Sequence, residues 1–216
     1  MTRTSTSSNR VAVLLLVPLF AGSAQDSGDA TALVRQLGQF EAGLDPRIQS
    51  DTGLPMPAEQ QRAAVWAKLR ALDDQAIPAL QQGLTSPDVQ IRRNVALYLL
   101  MESLNTPRRA PLDLKVFLTQ LLAALRDSDQ RVKELTAQAV GNVGADAAAA
   151  VLDLLRLLED PEPGLRNSAC IGLAGIGPAA RDALPALQRA LSDPSNDVRR
   201  FAQRAIDRIA TKPDPR

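Results

Sequence analysis

A short phrase recurs at a fixed interval in the second half of the sequence. The stretches DSDQRVKEL, DPEPGLRNS and DPSNDVRRF begin at Asp127, Asp160 and Asp193, each 33 residues after the last. Every phrase opens with an aspartate, continues with polar or turn-forming residues, and then has an aliphatic residue followed by a lysine or arginine. A fixed period of this length is the sequence signature of a repeat architecture. The chain is therefore predicted to stack similar units.

The residues before each phrase follow a helical pattern. The stretches IPALQQGLTS, LTQLLAALRD, VLDLLRLLED and LPALQRALSD carry leucines three and four residues apart, which places them on one helix face. Pro78 and Pro185 fall in the first turn of two of these helices, where a missing N–H removes no hydrogen bond. The sequence thus predicts an amphipathic first helix in every unit. Its aligned leucines are Leu80, Leu84, Leu121, Leu125, Leu154, Leu158, Leu187 and Leu191.

The residues after the aspartate predict a second amphipathic helix. In IRRNVALYLLMES, VKELTAQAVGNVG, LRNSACIGLAGIG and VRRFAQRAIDRIA, apolar or small residues recur four, seven, eight and eleven positions after the first. Gly144 and Gly177 follow two of these helices and are expected to close them with a positive φ. The aspartate lies in the turn between the helices, where its carboxylate is expected to cap the second helix.

One such unit cannot fold alone. Ordering 33 residues costs about 50 kcal/mol at about 1.5 kcal/mol each, whereas one buried leucine returns about 1.5–3 kcal/mol. Stacked units bury both faces of each helix pair, so the repetition predicts an all-α fold, an α-solenoid of about four to five helix-turn-helix repeats. The predicted repeats span residues 76–102, 114–144, 150–177 and 183–210.

These units resemble HEAT-like repeats of the short type also found in phycobilisome lyases. The resemblance rests on an aspartate followed six residues later by a basic residue, and on the small-residue endings AVGNVGADA and GLAGIGPAA. It implies that the aspartates and basic residues form a structural ladder between repeats. Ser86 replaces the aspartate before Arg92, so the ladder is expected to weaken there. The implied ladder residues are Arg92, Asp127, Lys133, Asp160, Arg166, Asp193 and Arg199.

The two ends of the chain depart from the repeat. Residues 25–75 are predicted to form an atypical N-terminal capping repeat with a long loop at 42–58, because terminal repeats must shield the stack from water. Residues 211–216 are predicted to be a disordered tail.

The first 24 residues have the organisation of a secretory signal peptide. MTRTSTSSNR carries two arginines and no acid, VAVLLLVPLF is apolar, and small residues follow. The apolar run is shorter than the roughly 20 residues that span a membrane. We therefore expect export to the periplasm or medium, cleavage near Ala24, and no stable membrane anchor afterwards. An organelle transit peptide and a buried N-terminal helix are the alternatives.

Composition argues against several classes of chemistry. The chain has no histidine, so it lacks the commonest acid–base catalyst and metal ligand. Its single cysteine, Cys170, has no activating histidine and is expected to be buried. The 25 basic and 24 acidic residues create no global field towards nucleic acid. A non-enzymatic protein without cofactor, metal or nucleic-acid partner is predicted.

The predicted function is a scaffold or adaptor that binds a protein or peptide on the concave face of the solenoid. The alternatives are a lyase-like subunit acting on a bilin chromophore and a structural spacer in an extracytoplasmic assembly. Two arginines in an insertion at 103–113 are further candidates, because loops that break a scaffold often bind, although a tolerated surface insertion is the favoured explanation. The candidate partner-binding residues are Arg93, Leu97, Glu134, Gln138, Asn167, Ile171, Arg200, Arg204, Arg108 and Arg109. Trp66 is either a further anchor or part of the N-terminal packing.

Overall fold

The structure, a computed structural model, describes residues 29–40, 57–104 and 112–211. These residues form helices and turns, with no strand among them. The α-helices are α1 (Ala30–Gln36), α2 (Pro57–Leu72), α3 (Ile77–Leu84), α4 (Val89–Ser103), α5 (Leu118–Ala124), α6 (Gln130–Val143), α7 (Val151–Leu158), α8 (Pro163–Ile176), α9 (Leu184–Ala190) and α10 (Asn196–Ala210). The predicted signal peptide, most of the predicted 42–58 and 103–113 loops, and nearly all of the predicted C-terminal tail fall outside the described residues.

The helices stack in two rows, as the 33-residue repeat predicts. The pairs α3–α4, α5–α6, α7–α8 and α9–α10 are successive units, and α1 and α2 precede them. The second helices α4, α6, α8 and α10 pack side by side in that order. The first helices form the other row, where α3 contacts α5 and α7 contacts α9. The all-α solenoid is the observed architecture.

The core lies between the two rows. Seven of the eight aligned leucines are buried, including Leu121, Leu154 and Leu187 at 0% exposure, whereas Leu191 is half-buried in the last unit. Alanines fill much of the same interior, with Ala137, Ala139 and others fully enclosed. Small side chains let neighbouring helices approach closely, which explains how a chain with 3% aromatic residues packs its core.

Two glycines end second helices. Gly144 closes α6 with φ 76° and ψ −146°, and Gly177 closes α8 with φ 69° and ψ −141°. Residues with a Cβ rarely adopt this backbone conformation, so glycine is required at both places. The expected positive φ is confirmed. A 3₁₀ segment then leads from each glycine into the next first helix, at Gly144–Ala150 and Gly177–Ala183.

The N-terminal unit is packed onto α4. Leu33, Leu37 and Phe40 are buried, in agreement with a first helix in this part of the chain. Helix α2 begins at Pro57, so the predicted loop extended two residues too far. A proline starts a helix favourably because its φ is already helical. Trp66 on α2 is 4% exposed and meets Tyr98 of α4 edge-on, with ring centroids 5.6 Å apart.

Candidate binding face and the ion-pair ladder

The aspartate that opens each phrase folds the turn between two helices. Oδ1 of Asp160 accepts the backbone N–H of Glu162 at 3.0 Å. The same bond joins Asp127 to Asp129 at 2.8 Å and Asp193 to Ser195 at 2.8 Å. The second helices begin after Asp129, Glu162 and Ser195, which are their N-cap residues. The expectation that the opening aspartate caps the helix was therefore wrong, because its short side chain reaches only the N–H two residues on.

The same aspartates pair with basic residues of the preceding repeat. Arg92 donates from Nε and Nη2 to the two carboxylate oxygens of Asp127, at 2.7 and 3.0 Å. Arg166 binds both oxygens of Asp193 in the same way, at 2.7 and 2.8 Å. The middle rung is weaker, since Lys133 Nζ lies 3.8 Å from Oδ2 of Asp160. The ladder implied by the resemblance thus runs from the base of one repeat to the acid of the next.

The six-residue spacing within each phrase has a second cause. Nη1 of Arg166 donates to the backbone carbonyls of Asp160 and Pro161 in its own turn, at 3.0 and 2.7 Å. One planar guanidinium therefore holds its own turn and the neighbouring repeat together, which a lysine ammonium cannot do with the same geometry.

Both ends of the ladder keep part of this arrangement. Arg92 donates to the carbonyls of Ser86 and Pro87, and the Ser86 hydroxyl accepts the N–H of Asp88 at 3.2 Å. Ser86 thus preserves the turn. It lacks only the carboxylate that would form an ion pair with a basic residue of the preceding repeat. At the other end, Arg199 donates to the carbonyl of Asp193 at 2.6 Å and to the side chain of Asn196.

The ion pairs stabilise the charged forms of the carboxylates. Hydrogen bonds from Arg166 hold the pKa of Asp193 below its usual value, against the opposing effect of partial burial. A parallel pair joins Arg93 of α4 to Asp129, with Nε 2.9 Å from Oδ1, and lowers the pKa of Asp129. Adjacent repeats are therefore tied by charge-assisted hydrogen bonds at their turns.

We call the outward residues of the second helices the second-helix face. The structure places Arg93 on α4, Glu134 and Gln138 on α6, Asn167 and Ile171 on α8, and Arg200 and Arg204 on α10. The α10 residues are exposed and the others half-buried. Leu97 was assigned to this face but is 4% exposed and belongs to the core. The prediction was wrong because α4 is covered on more sides than the other second helices, with seven consecutive buried residues from Asn94 to Leu100.

Polar groups on α4 and α6 mostly satisfy one another. Glu134 accepts from Arg131 and from Gln130, each at 3.0 Å. Gln138 donates to the Ser168 hydroxyl of α8 at 3.1 Å. With Arg93 already paired, this half of the face offers hydrogen-bonding groups and little unpaired charge.

The α10 part of the face has a different character. The guanidinium carbons of Arg200 and Arg204 lie over the Phe201 ring, 5.0 and 5.3 Å from its centroid. Arg200 also donates to Asp197 at 2.8 Å, in a pair that is exposed on both sides. These side chains are ordered by an aromatic platform and remain accessible.

The remaining candidate residues lie in the core or outside the described part of the chain. Cys170 is fully buried, and burial raises the pKa of its thiol to about 12, so the predicted structural role fits. Trp66 packs in the N-terminal unit rather than at the surface. Arg108 and Arg109 lie outside the described residues. Within the described ranges, acidic and cysteine side chains form no cluster suited to a metal ion, and no helix is long and apolar enough to span a bilayer.

Sequence reasoning missed the role of Asn94, one of several buried polar residues. Asn94 has 0% exposure, and its Nδ2 lies within hydrogen-bonding distance of the carbonyls of Leu37, Phe40 and Gln90, at 3.0, 2.6 and 3.0 Å. It fastens the end of the N-terminal unit to α4. An asparagine directly before the apolar run from Val95 to Leu100 was the available signal, since buried amides need partners.

The comparisons with known proteins agree with this geometry. The family model for HEAT repeats matches residues 118–207. These residues are HEAT repeats. They contain α5 to α9 and most of α10, and so the two lower rungs of the ladder, Lys133–Asp160 and Arg166–Asp193. Comparison with curated proteins gives no match.

Solved structures extend the likeness beyond the matched HEAT repeats. An engineered protein is 22% identical with a TM-score of 0.57, and 85% of each chain is covered. A designed armadillo repeat protein in complex with the peptide (KR)4 is 16% identical with a TM-score of 0.57, covering 83% of this chain and 81% of that one. The complex of CpcE and CpcF of phycocyanin lyase from Nostoc is 23% identical with a TM-score of 0.54, covering 78% and 66%. These likenesses establish the shared solenoid fold.

Proposed function

We propose that this protein is a non-enzymatic scaffold that binds a protein or peptide segment across the second-helix face. The observation that carries the proposal is the contrast between the two sides of the second helices. Their inner sides are buried, whereas the outward residues of α6, α8 and α10 are mostly polar, mixed in charge, and half-buried or exposed. Such a surface suits a partner that supplies its own hydrogen bonds and charges.

The fold supports this proposal. Helical solenoids present extended concave surfaces because each repeat is rotated slightly against the next. One similar structure, the designed armadillo repeat protein, holds a peptide. We extend that capacity to this chain, and we place its site of action outside the cytoplasm because of the signal-like first 24 residues.

The test of binding is charge reversal on α10. The variant R200E/R204E should melt like the wild type, because both side chains are exposed, and should lose a partner recovered by cross-linking from the exported fraction. The control R181E/R189E makes the same change in net charge on the first-helix side. Equal recovery of the partner by wild type and R200E/R204E would rule out this part of the face as the binding surface.

Export has its own test. Cell fractionation followed by N-terminal sequencing should find a chain that starts close to Gln25 outside the cytoplasm. A full-length cytoplasmic chain would contradict the export proposal while leaving the binding face untouched.

A bilin lyase-like subunit is the alternative, and the likeness to the phycocyanin lyase complex is the observation in its favour. Co-expression with a bilin distinguishes the two. A coloured, covalently modified acceptor or a coloured protein would support the lyase-like role, and a colourless product would leave the scaffold as the better account.

A further inference from the structure

We propose that the α10 end of the second-helix face selects a carboxylate-rich segment of the partner. This inference rests on the proposed scaffold function and specifies the chemistry of the segment. It starts from an unequal distribution of charge along the face, which neither the repeat pattern nor the near-neutral total charge of the chain suggests.

Three arginines follow one another at four-residue intervals on α10. Arg200, Arg204 and Arg208 are all exposed, and four-residue spacing places them on one side of a helix, about 6 Å apart per step. Of the three, Arg200 is paired with Asp197. Within the described residues, neither Arg204 nor Arg208 has a carboxylate at ion-pair distance.

The neighbouring helices do not cancel this charge. The aligned positions of α8 are Asn167, Ile171 and Gly175, which carry no charge. Further along, the charges of α6 and α4 are taken up by Arg131–Glu134 and Arg93–Asp129. Positive charge without an internal partner is therefore concentrated at one end of the face.

The arginines are also held ready for carboxylates. Phe201 lies beneath two of the guanidinium groups at 5.0 and 5.3 Å, which reduces the rotamer freedom lost on binding. Guanidinium groups bind carboxylates through two parallel hydrogen bonds. Alternate side chains of an extended strand are about 6.6 Å apart, close to the spacing of the arginines. An extended segment with acidic residues at alternate positions therefore matches the spacing of Arg200, Arg204 and Arg208 along α10.

The experiment is selection of random 12-residue peptides displayed on phage against the full chain, followed by fluorescence anisotropy with defined probes. The probes are fluorescein-labelled (EG)4, (KG)4 and (QG)4, and a dT12 oligonucleotide. We expect selected peptides enriched in Asp and Glu, saturable binding of (EG)4 but not of (KG)4, and at least about a tenfold loss of (EG)4 affinity in R204E/R208E. The variant R181E/R189E has the same net charge and should bind (EG)4 like the wild type.

The outcomes separate this inference from the proposed function. Selection of neutral or basic peptides whose binding depends on Glu134 or Asn167 would overturn the acidic-segment inference and leave the scaffold intact. No selected peptide, together with no binding of any probe, would overturn both. An equal loss of (EG)4 affinity in R204E/R208E and R181E/R189E would mean that only net charge matters, which overturns the inference. Tighter binding of dT12 than of (EG)4 would assign the arginines to a nucleic acid and would overturn it as well.

Discussion

The side chain of Arg166 binds both carboxylate oxygens of Asp193, 27 residues away, while its remaining terminal nitrogen donates to the backbone carbonyls of its own turn. The guanidinium group of Arg166 thus holds together the turn of its own repeat and the turn of the next repeat. The exposed fraction of the two side chains is only 15% and 9%, so solvent screens the pair less than an ordinary surface ion pair. This relationship explains why the phrase keeps both an acid and a base, and it leads to the predictions that follow.

Replacing Lys133 by arginine should stabilise the weakest rung. The lysine nitrogen is 3.8 Å from Asp160, whereas an arginine at this position can reach both oxygens of Asp160 and the carbonyls of its own turn. We expect a gain of about 0.5–1 kcal/mol in the free energy of unfolding, measured by urea denaturation. The control K115R changes a pair with Asp146 that is more than half exposed and should leave stability unchanged. A loss of stability in K133R would contradict the proposed geometry.

Stability should fall with acid in a way that depends on Asp129 and Asp193. Arginine hydrogen bonds lower the pKa of both carboxyls in the folded state, so their contribution is present above the unfolded pKa of about 3.9 and is lost as pH falls through the lower folded value. The variant D129N/D193N keeps the oxygen that accepts backbone N–H groups but removes the titration. Urea midpoints measured from pH 6 to pH 2 should decline less steeply in the variant. Identical slopes would exclude a role for these carboxyls.

Asn94→Leu should destabilise the N-terminal unit even though it adds apolar volume to the core. The change removes the donor for the carbonyls of Leu37 and Phe40, and unsatisfied buried polar groups cost about 1–3 kcal/mol each. Hydrogen exchange should show faster exchange in α1 and α4 and little change in α8 and α10. Gln138→Leu, which alters a half-buried hydrogen bond, is the control and should have a smaller effect. Uniform exchange rates across all helices would contradict a local role for Asn94.

Gly172→Ala should be destabilising although alanine favours helices by up to about 1 kcal/mol. A Cβ at Gly172 would lie 2.5 Å from the carbonyl oxygen of Ala137, a backbone atom of α6 that cannot move aside alone. Overpacking of this kind costs about 1–3 kcal/mol. Gly164→Ala on the same helix is the control, because the nearest atoms to its Cβ would belong to the flexible side chains of Glu134 and Gln130. Thermal melting should show a lower Tm for the first variant and little change for the second. An unchanged Tm for Gly172→Ala would mean that α6 and α8 are less tightly packed.

Sequence periodicity by itself determined the helices and their stacking. Leucines three and four residues apart can be buried together only on one helix face, and a unit of 33 residues can bury enough apolar surface only by stacking. The start of α5 at Leu118 and of α7 at Val151, and the closing glycines, follow from such local rules. Local rules are reliable here because they concern residues close in the chain.

The tertiary structure decided the contacts that link distant residues. The burial of Leu97 and the hydrogen bonds of Asn94 depend on how the N-terminal unit and α2 cover α4, and no periodicity in α4 encodes that coverage. The opening aspartates meet bases of the preceding repeat, as the resemblance implied, but only the structure showed that they fold turns instead of capping helices, because the turn sets their reach. The concentration of unpaired arginines on α10 likewise emerged only once the charges elsewhere were seen to be paired. Whether two charged side chains form an ion pair depends on the distance between their repeats, and that distance is set only when the whole chain has folded.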